Sequence, residues 1–121
     1  MQDIEFRGRT DSGKWIFGGA TSDKKYIFVG MLLISVDPET VGQFIGACDC
    51  DGKKIFEDDV IILPFNPISK RAVIQYNSSD AAFYPCLVKD DFNSCVCFAD
   101  LSKTEVIGNI HDDSELLEDA K

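Results

Sequence analysis

The chain has 121 residues, 45% of them hydrophobic, which suits one globular domain or two small subdomains and excludes a linker-rich or low-complexity protein. Twenty-one Asp and Glu against twelve Lys and Arg leave a formal net charge of −9. The basic residues come as separate pairs (Arg7 with Arg9, Lys24 with Lys25, Lys53 with Lys54, Lys70 with Arg71), not as the stripe that neutralises phosphates, so direct nucleic-acid binding is disfavoured.

In chain order, Ile4-Glu5-Phe6-Arg7 alternates as a half-buried strand does. Thr10-Asp11-Ser12-Gly13 is a turn cluster and Lys14-Trp15-Ile16-Phe17 a second strand, which predicts a hairpin ended by Gly18-Gly19. Tyr26–Val29 and Met31–Val36 are further strand candidates. The run from Tyr26 to Val36 is the longest apolar stretch, shorter than the about 20 residues of a membrane span, and is assigned to the core. Asp37-Pro38-Glu39-Thr40 reads as a turn, because proline presets φ and pushes Asp37 out of the helical region.

Gly42 to Gly46 encloses a short strand, and Asp51-Gly52 predicts a type I′ turn. Val60–Leu63 is a strand stopped by Pro64 and Pro67. Ala72–Tyr76 and Ala82–Tyr84 flank Asn77-Ser78-Ser79-Asp80 as a second hairpin, and Cys95–Phe98 and Glu105–Ile107 are the last strands. Only the tail reads as helical, with Asp113 or Ser114 capping one turn that carries Leu116 and Leu117. Many short strands separated by turns place the chain in the mainly β class, as small barrels or meanders. Met1–Glu5 has neither a basic n-region nor an apolar h-region, and the five cysteines are odd in number. The expectation is a cytoplasmic protein with reduced thiols.

Chemistry is sparsely marked. Asp49-Cys50-Asp51-Gly52 with Asp58 suggests a calcium loop, but aligning Gly52 with that loop's glycine puts Ala47 where the first acidic ligand belongs. Cys48 with Cys50, Cys95 with Cys97, and Cys86 supply thiolates for a zinc site if each C-x-C pair shares a strand face, although C-x-C is not the usual knuckle spacing. Buried or half-exposed thiols are the favoured reading, and no cofactor is expected. A cysteine nucleophile needs a base, and the sole histidine, His111, lies in the acidic tail. No phosphate-binding loop, nucleophile elbow or zinc-protease motif is present. Glu57-Asp58-Asp59 is either a metal- or partner-binding acidic corner or a turn whose carboxylates accept local backbone N–H groups, with the second favoured.

Several segments in order resemble the YopX family of bacteriophage and prophage proteins. They are Ile4-Glu5-Phe6-Arg7, Gly13-Lys14-Trp15, Pro38 to Gly46, Asp51 to Val60, and Glu105-Val106-Ile107-Gly108-Asn109-Ile110 with Glu115-Leu116-Leu117. Three places depart from the family's pattern. Glu57-Asp58-Asp59 stands for E-G-D, Ile45-Gly46-Ala47 for T-G-L, and Asn109 to Leu117 carries His111 where the pattern has tyrosine. The resemblance implies two small all-β subdomains: an N-terminal β-meander over about 1–46 and an SH3-like barrel with a short C-terminal helical turn over 47–121. It implies a phage or prophage source in a bacterial host and carries over no catalytic residue.

The function expected is a non-enzymatic binding or self-assembly module, with Trp15, Phe17, Tyr84, Glu57 and Asp58 as candidate contacts to a protein partner or a second copy, and no membrane. The alternative is an acidic decoy that mimics DNA and occupies a host nuclease or DNA-binding protein, motivated by the net charge.

Overall fold

Alternation near the start of the chain produces two antiparallel strands, β1 (Phe6–Arg9) and β2 (Trp15–Ala20), joined by the predicted turn, where the Gly13 N–H donates to the Thr10 carbonyl. The structure is a computed structural model that describes residues 5–63, 70–79, 81–88 and 100–117. The described residues are mainly β, with two antiparallel sheets and only short 3-10 turns. The chain divides into two compact units, Met1–Gly46 and Ala47–Lys121. The predicted strand over Cys95–Phe98 lies outside the described residues.

The first unit adds β3 (Tyr26–Val29), β4 (Leu32–Ser35) and most of β5 (Asp37–Cys48), hydrogen-bonded in the order β4-β3-β2-β1-β5. A flat sheet of five strands would hold its outer strands roughly 19 Å apart. Ser35 ends one outer strand and Asp37 begins the other. One intervening residue allows at most about 7 Å between them, so the sheet is rolled until its edges meet at Val36.

Rolling requires β2 to bend. Its first part, Trp15–Gly18, pairs with β1, and its last part, Gly19–Ala20, pairs with β3. Gly18-Gly19 therefore does not end the strand as the sequence suggests. A Cβ on Gly18 would lie 1.9 Å from the Phe28 carbonyl oxygen, so glycine is what lets β3 cross this close to β2. Ile16, Ile27, Val36 and Val41 fill the rolled interior, with Phe6, Ala20 and Ile34 packed against them. Burying each side chain of this kind stabilises by about 1.5–3 kcal/mol.

The predicted turn at Asp37–Thr40 is instead the start of β5. Its turn chemistry survives inside the strand: Asp37 Oδ1 accepts from the Glu39 N–H, and the Thr40 hydroxyl donates to the Asp37 carbonyl. Thr40 Oγ1 also accepts from the Arg9 N–H, where the β1–β5 register slips by a bulge.

In the second unit, β7 (Asp59–Leu63), β8 (Lys70–Asn77), β9 (Ala82–Leu87) and β10 (Glu105–Asn109) form a sheet in the order β10-β7-β8-β9. β6 (Lys54–Phe56) runs back along the end of β5 after a turn at Asp49–Lys53. That turn is not the two-residue I′ type. Only Gly52 has positive φ, +80°, and the Gly52 N–H donates to Asp49 O while the Asp49 N–H donates to Lys53 O, a three-residue loop with a left-handed glycine. Val60, Val73 and Val88 form one core cluster, covered by Ile107, Ile110, Leu116 and Leu117. The two leucines arrive on a 3-10 turn, Ser114–Leu117, where the sequence placed its helical turn.

Candidate interaction surface

Strand alternation sorts the first unit into two faces. Ile16 points inward, so Trp15 and Phe17 point outward, opposite Arg9 and Arg7 in register. The Arg7 guanidinium stacks 4.7 Å from the Trp15 ring centroid, and that of Arg9 lies 6.0 Å from it. This stack leaves Trp15 only half-buried and covers Arg7. Phe17 is exposed beside it.

The same outer face continues across Gly19 to Phe28 and Leu33, which are paired in register. A Cβ on Gly19 would sit 3.8 Å from the Phe28 ring, so the ring lies over that glycine. Phe17, Phe28 and Leu33 thus form an apolar strip on a surface that the strands leave open to solvent.

The β3–β4 hairpin extends this strip into an arm. Its register with β2 stops at Phe28, whereas Val29 and Leu32 pair only with each other. Gly30-Met31 closes it as a two-residue turn with φ +61° at the first position, which glycine supplies without steric cost. Of the run Tyr26–Val36, only Ile27 and Val36 are buried. Met31 is 101% exposed, Leu32 66% and Leu33 53%, and Tyr26, Phe28 and Val29 are exposed too. The assignment of this run to the core is therefore corrected: the hairpin runs on beyond its pairing with β2, and its outer half is exposed. Sequence reasoning missed Phe28, Met31, Leu32 and Leu33. The absence of any charge in eleven residues was the signal that an edge hairpin here would be unprotected.

The second unit holds the other candidates. Tyr84 is half-buried on β9, while its neighbour Phe83 meets the exposed Tyr76 ring edge-on at 5.1 Å. Glu57 is half-buried in the turn entering β7, and Asp59 is buried there, its Oδ2 accepting from the Phe56 N–H. Asp49, weighed in the sequence only as part of a calcium loop, is instead a larger backbone anchor. Its Oδ1 accepts from the Asp51 and Lys53 N–H groups, and its Oδ2 from the Val106 N–H on β10. Burial pushes its carboxyl up, but the Val106, Lys53 and Asp51 N–H groups and the Lys53 charge outweigh it and hold the carboxyl below its usual range.

The chain's match to known proteins fits this architecture. The model of the YopX protein family matches residues 4–118. The chain belongs to the YopX family. The fold of this YopX-family protein is similar to the crystal structure of protein EF1440 from Enterococcus faecalis, with a TM-score of 0.57 at 20% identity over 98% of this chain and 100% of that one. No curated protein matches it at a significant level.

Two of the departures from the YopX pattern meet in space. Asp58 stands where the pattern has glycine and adopts φ +72°, the left-handed conformation that glycine would take. The Asp58 N–H donates to Ile74 O, and its carbonyl accepts from the Ile110 N–H. Its carboxylate Oδ2 lies 3.1 Å from Nε2 of His111, which stands where the pattern has tyrosine. His111 Nε2 thus meets Asp58, and the carboxylate of the adjacent Asp112 accepts from the Asn109 side-chain amide.

Among the described residues, Cys48 and Cys50 do not share a strand face. β5 ends at Cys48, and Cys50 falls in the following turn, so strand alternation does not align the pair. Cys48 and Cys50 are exposed and Cys86 is buried, all as free thiols, while Cys95 and Cys97 lie outside the described residues. Desolvation, then the Asp51, Asp49 and Glu105 carboxylates, raise the Cys50 thiol above its ordinary value and disfavour its thiolate. Among the described residues no group of three or more His, Cys, Asp and Glu side chains converges on a metal position, and no helix is long and apolar enough to cross a membrane.

Proposed function

We propose that this YopX-family protein is a non-enzymatic binding or self-assembly module, encoded by a phage or prophage and working in the bacterial cytoplasm. The observation that carries this reading is the uncharged hairpin Tyr26–Val36, which presents Phe28, Val29, Met31, Leu32 and Leu33 to solvent next to Phe17. Exposed apolar patches above roughly 300–600 Å² mark interaction sites on otherwise soluble chains. Phe17, Tyr26, Phe28 and Leu33 share one exposed face, and Val29 and Leu32 add exposed apolar surface on the other side of the arm. Trp15, braced by Arg7 and Arg9, adds the residue types enriched at hot spots along the same face.

The acidic decoy has less support. Asp23, Asp37, Asp49, Asp59, Asp100 and Asp113 all accept hydrogen bonds from nearby chain, which explains these carboxylates as organisers of turns and strand ends.

A photo-cross-linking residue at Leu33, with one at Asp11 as control, tests the binding reading in host cells. A discrete cross-linked product from Leu33 and none from Asp11 is expected. Absence of any product from Leu33 overturns the reading.

A further inference from the structure

Resting on that reading, we infer that the occupant of the apolar arm is a second copy of the same chain, joined by antiparallel pairing of β4 with β4 about a two-fold axis at Leu33.

Three observations lead there. First, β4 is an outer strand: among the described residues it pairs with β3 on one side and with no strand on the other. In a two-residue hairpin the residues flanking the turn form the hydrogen-bonded pair, here Val29 and Leu32, and the pattern alternates from there. Leu32 and Ile34 therefore direct their backbone groups to β3, while Leu33 and Ser35 direct theirs outward. An outward N–H and C=O on Leu33 are what a symmetric pair needs, because Leu33 of each copy can donate to and accept from the other.

Second, that register continues the surface. Setting Leu33 opposite Leu33 puts Leu32 opposite Ile34 and keeps like faces together, since directly paired residues project to the same side. Phe28 and Leu33 of one copy then adjoin Leu33 and Phe28 of the other, extending one apolar strip across the axis. A shift by one residue would oppose outer with inner face and break the strip.

Third, charge and the unprotected edge select the occupant. A chain of net charge −9 repels its own copy over most of its surface, and Tyr26–Val36 is its longest uncharged apolar run, where two copies meet without like charges. Natural edge strands carry lysine, proline or inward charges against pairing, and β4, Leu-Leu-Ile-Ser, carries none.

Sedimentation of the purified full chain across the micromolar range tests this. The wild type is expected as a dimer, and Leu33→Glu, which brings two carboxylates together on the axis, as a monomer, with affinity lowered at least about 100-fold. Because Leu33 is half exposed, the variant keeps its fold, which a cooperative melt confirms. In a Cys48→Ser, Cys50→Ser background, Leu33→Cys is expected to form an intermolecular disulfide under mild oxidation, since opposed hydrogen-bonded residues lie about 5.5 Å apart. Phe17→Cys in the same background is the slow control.

A wild type that stays monomeric overturns the inference, as does a dimer indifferent to Leu33→Glu or a disulfide no faster at position 33 than at 17. A monomer whose Leu33 cross-links to a different host protein overturns the inference and leaves the binding reading standing. A monomer without any cross-link overturns both.

Discussion

Asp58 and His111 are 53 positions apart in the chain and their side chains meet at 3.1 Å. Asp58 is also one of three non-glycine residues with positive φ among the described residues. A left-handed backbone costs an ordinary residue about 1–2 kcal/mol, and Asp tolerates it better than most. The contact to His111 and the bonds to Ile74 and Ile110 hold it there.

Asp58→Gly is therefore expected to be close to neutral, because relief of the left-handed backbone offsets the lost contact. Asp58→Val keeps the backbone cost, worsens it through β-branching and removes the partner, and loses about 2–3 kcal/mol. Urea denaturation distinguishes the two. A double-mutant cycle of Asp58→Ala with His111→Ala should give a coupling of about 0.5–1 kcal/mol, small because both side chains touch solvent.

Asp49 ties the Asp49–Lys53 turn to β10 through three backbone N–H groups. Asp49→Ala strands these donors and is expected to cost about 2–4 kcal/mol. Because the folded carboxyl sits below its ordinary value of 3.8, its contribution is complete above that value and is lost as the pH falls through the lower folded one. Urea midpoints measured from neutral pH down to about 3 should fall less steeply in Asp49→Asn than in the wild type.

Adjacent glycines in β2 should respond very differently. Gly18→Ala places a methyl 1.9 Å from the Phe28 carbonyl oxygen, so the strand crossing must give way, and loss of cooperative folding in the first unit is expected. Gly19→Ala meets the Phe28 ring at 3.8 Å, an ordinary contact, and should change the melting temperature little. Thermal melts of the two variants check this.

Within the longest apolar run, burial predicts opposite outcomes. Ile27→Ala opens a cavity in the rolled sheet and should cost about 2–5 kcal/mol. Met31→Ser at the exposed turn should leave the stability of the isolated chain within about 0.5 kcal/mol while raising solubility. Chemical denaturation at low protein concentration separates these effects from association.

Much of the framework was legible from local patterns. Alternation located β1, apolar runs between turn signals located β3, β7 and β8, and Thr10–Gly13 and the tail leucines lie where turn and cap chemistry puts them, because such chemistry acts within a few residues. The ordered segments from Ile4 to Leu117 also carried the family. Trp15 and Phe17 were identified by residue type, and the structure sets them on one open face with Phe28 and Leu33.

What local patterns could not determine was burial, since that depends on which surface remote strands provide. The run Tyr26–Val36 has the composition of a core and becomes an exposed arm because β2 turns away at Gly18. Asp37–Thr40 has the chemistry of a turn and becomes a strand because β1 pairs with it. Asp58 meets His111, and Asp49 reaches Val106 across 57 positions, only once the second sheet has folded. The sequence by itself determined the class, the position of most strands and the family. Tertiary structure decided which apolar residues face water, and with them where this protein has a surface to offer.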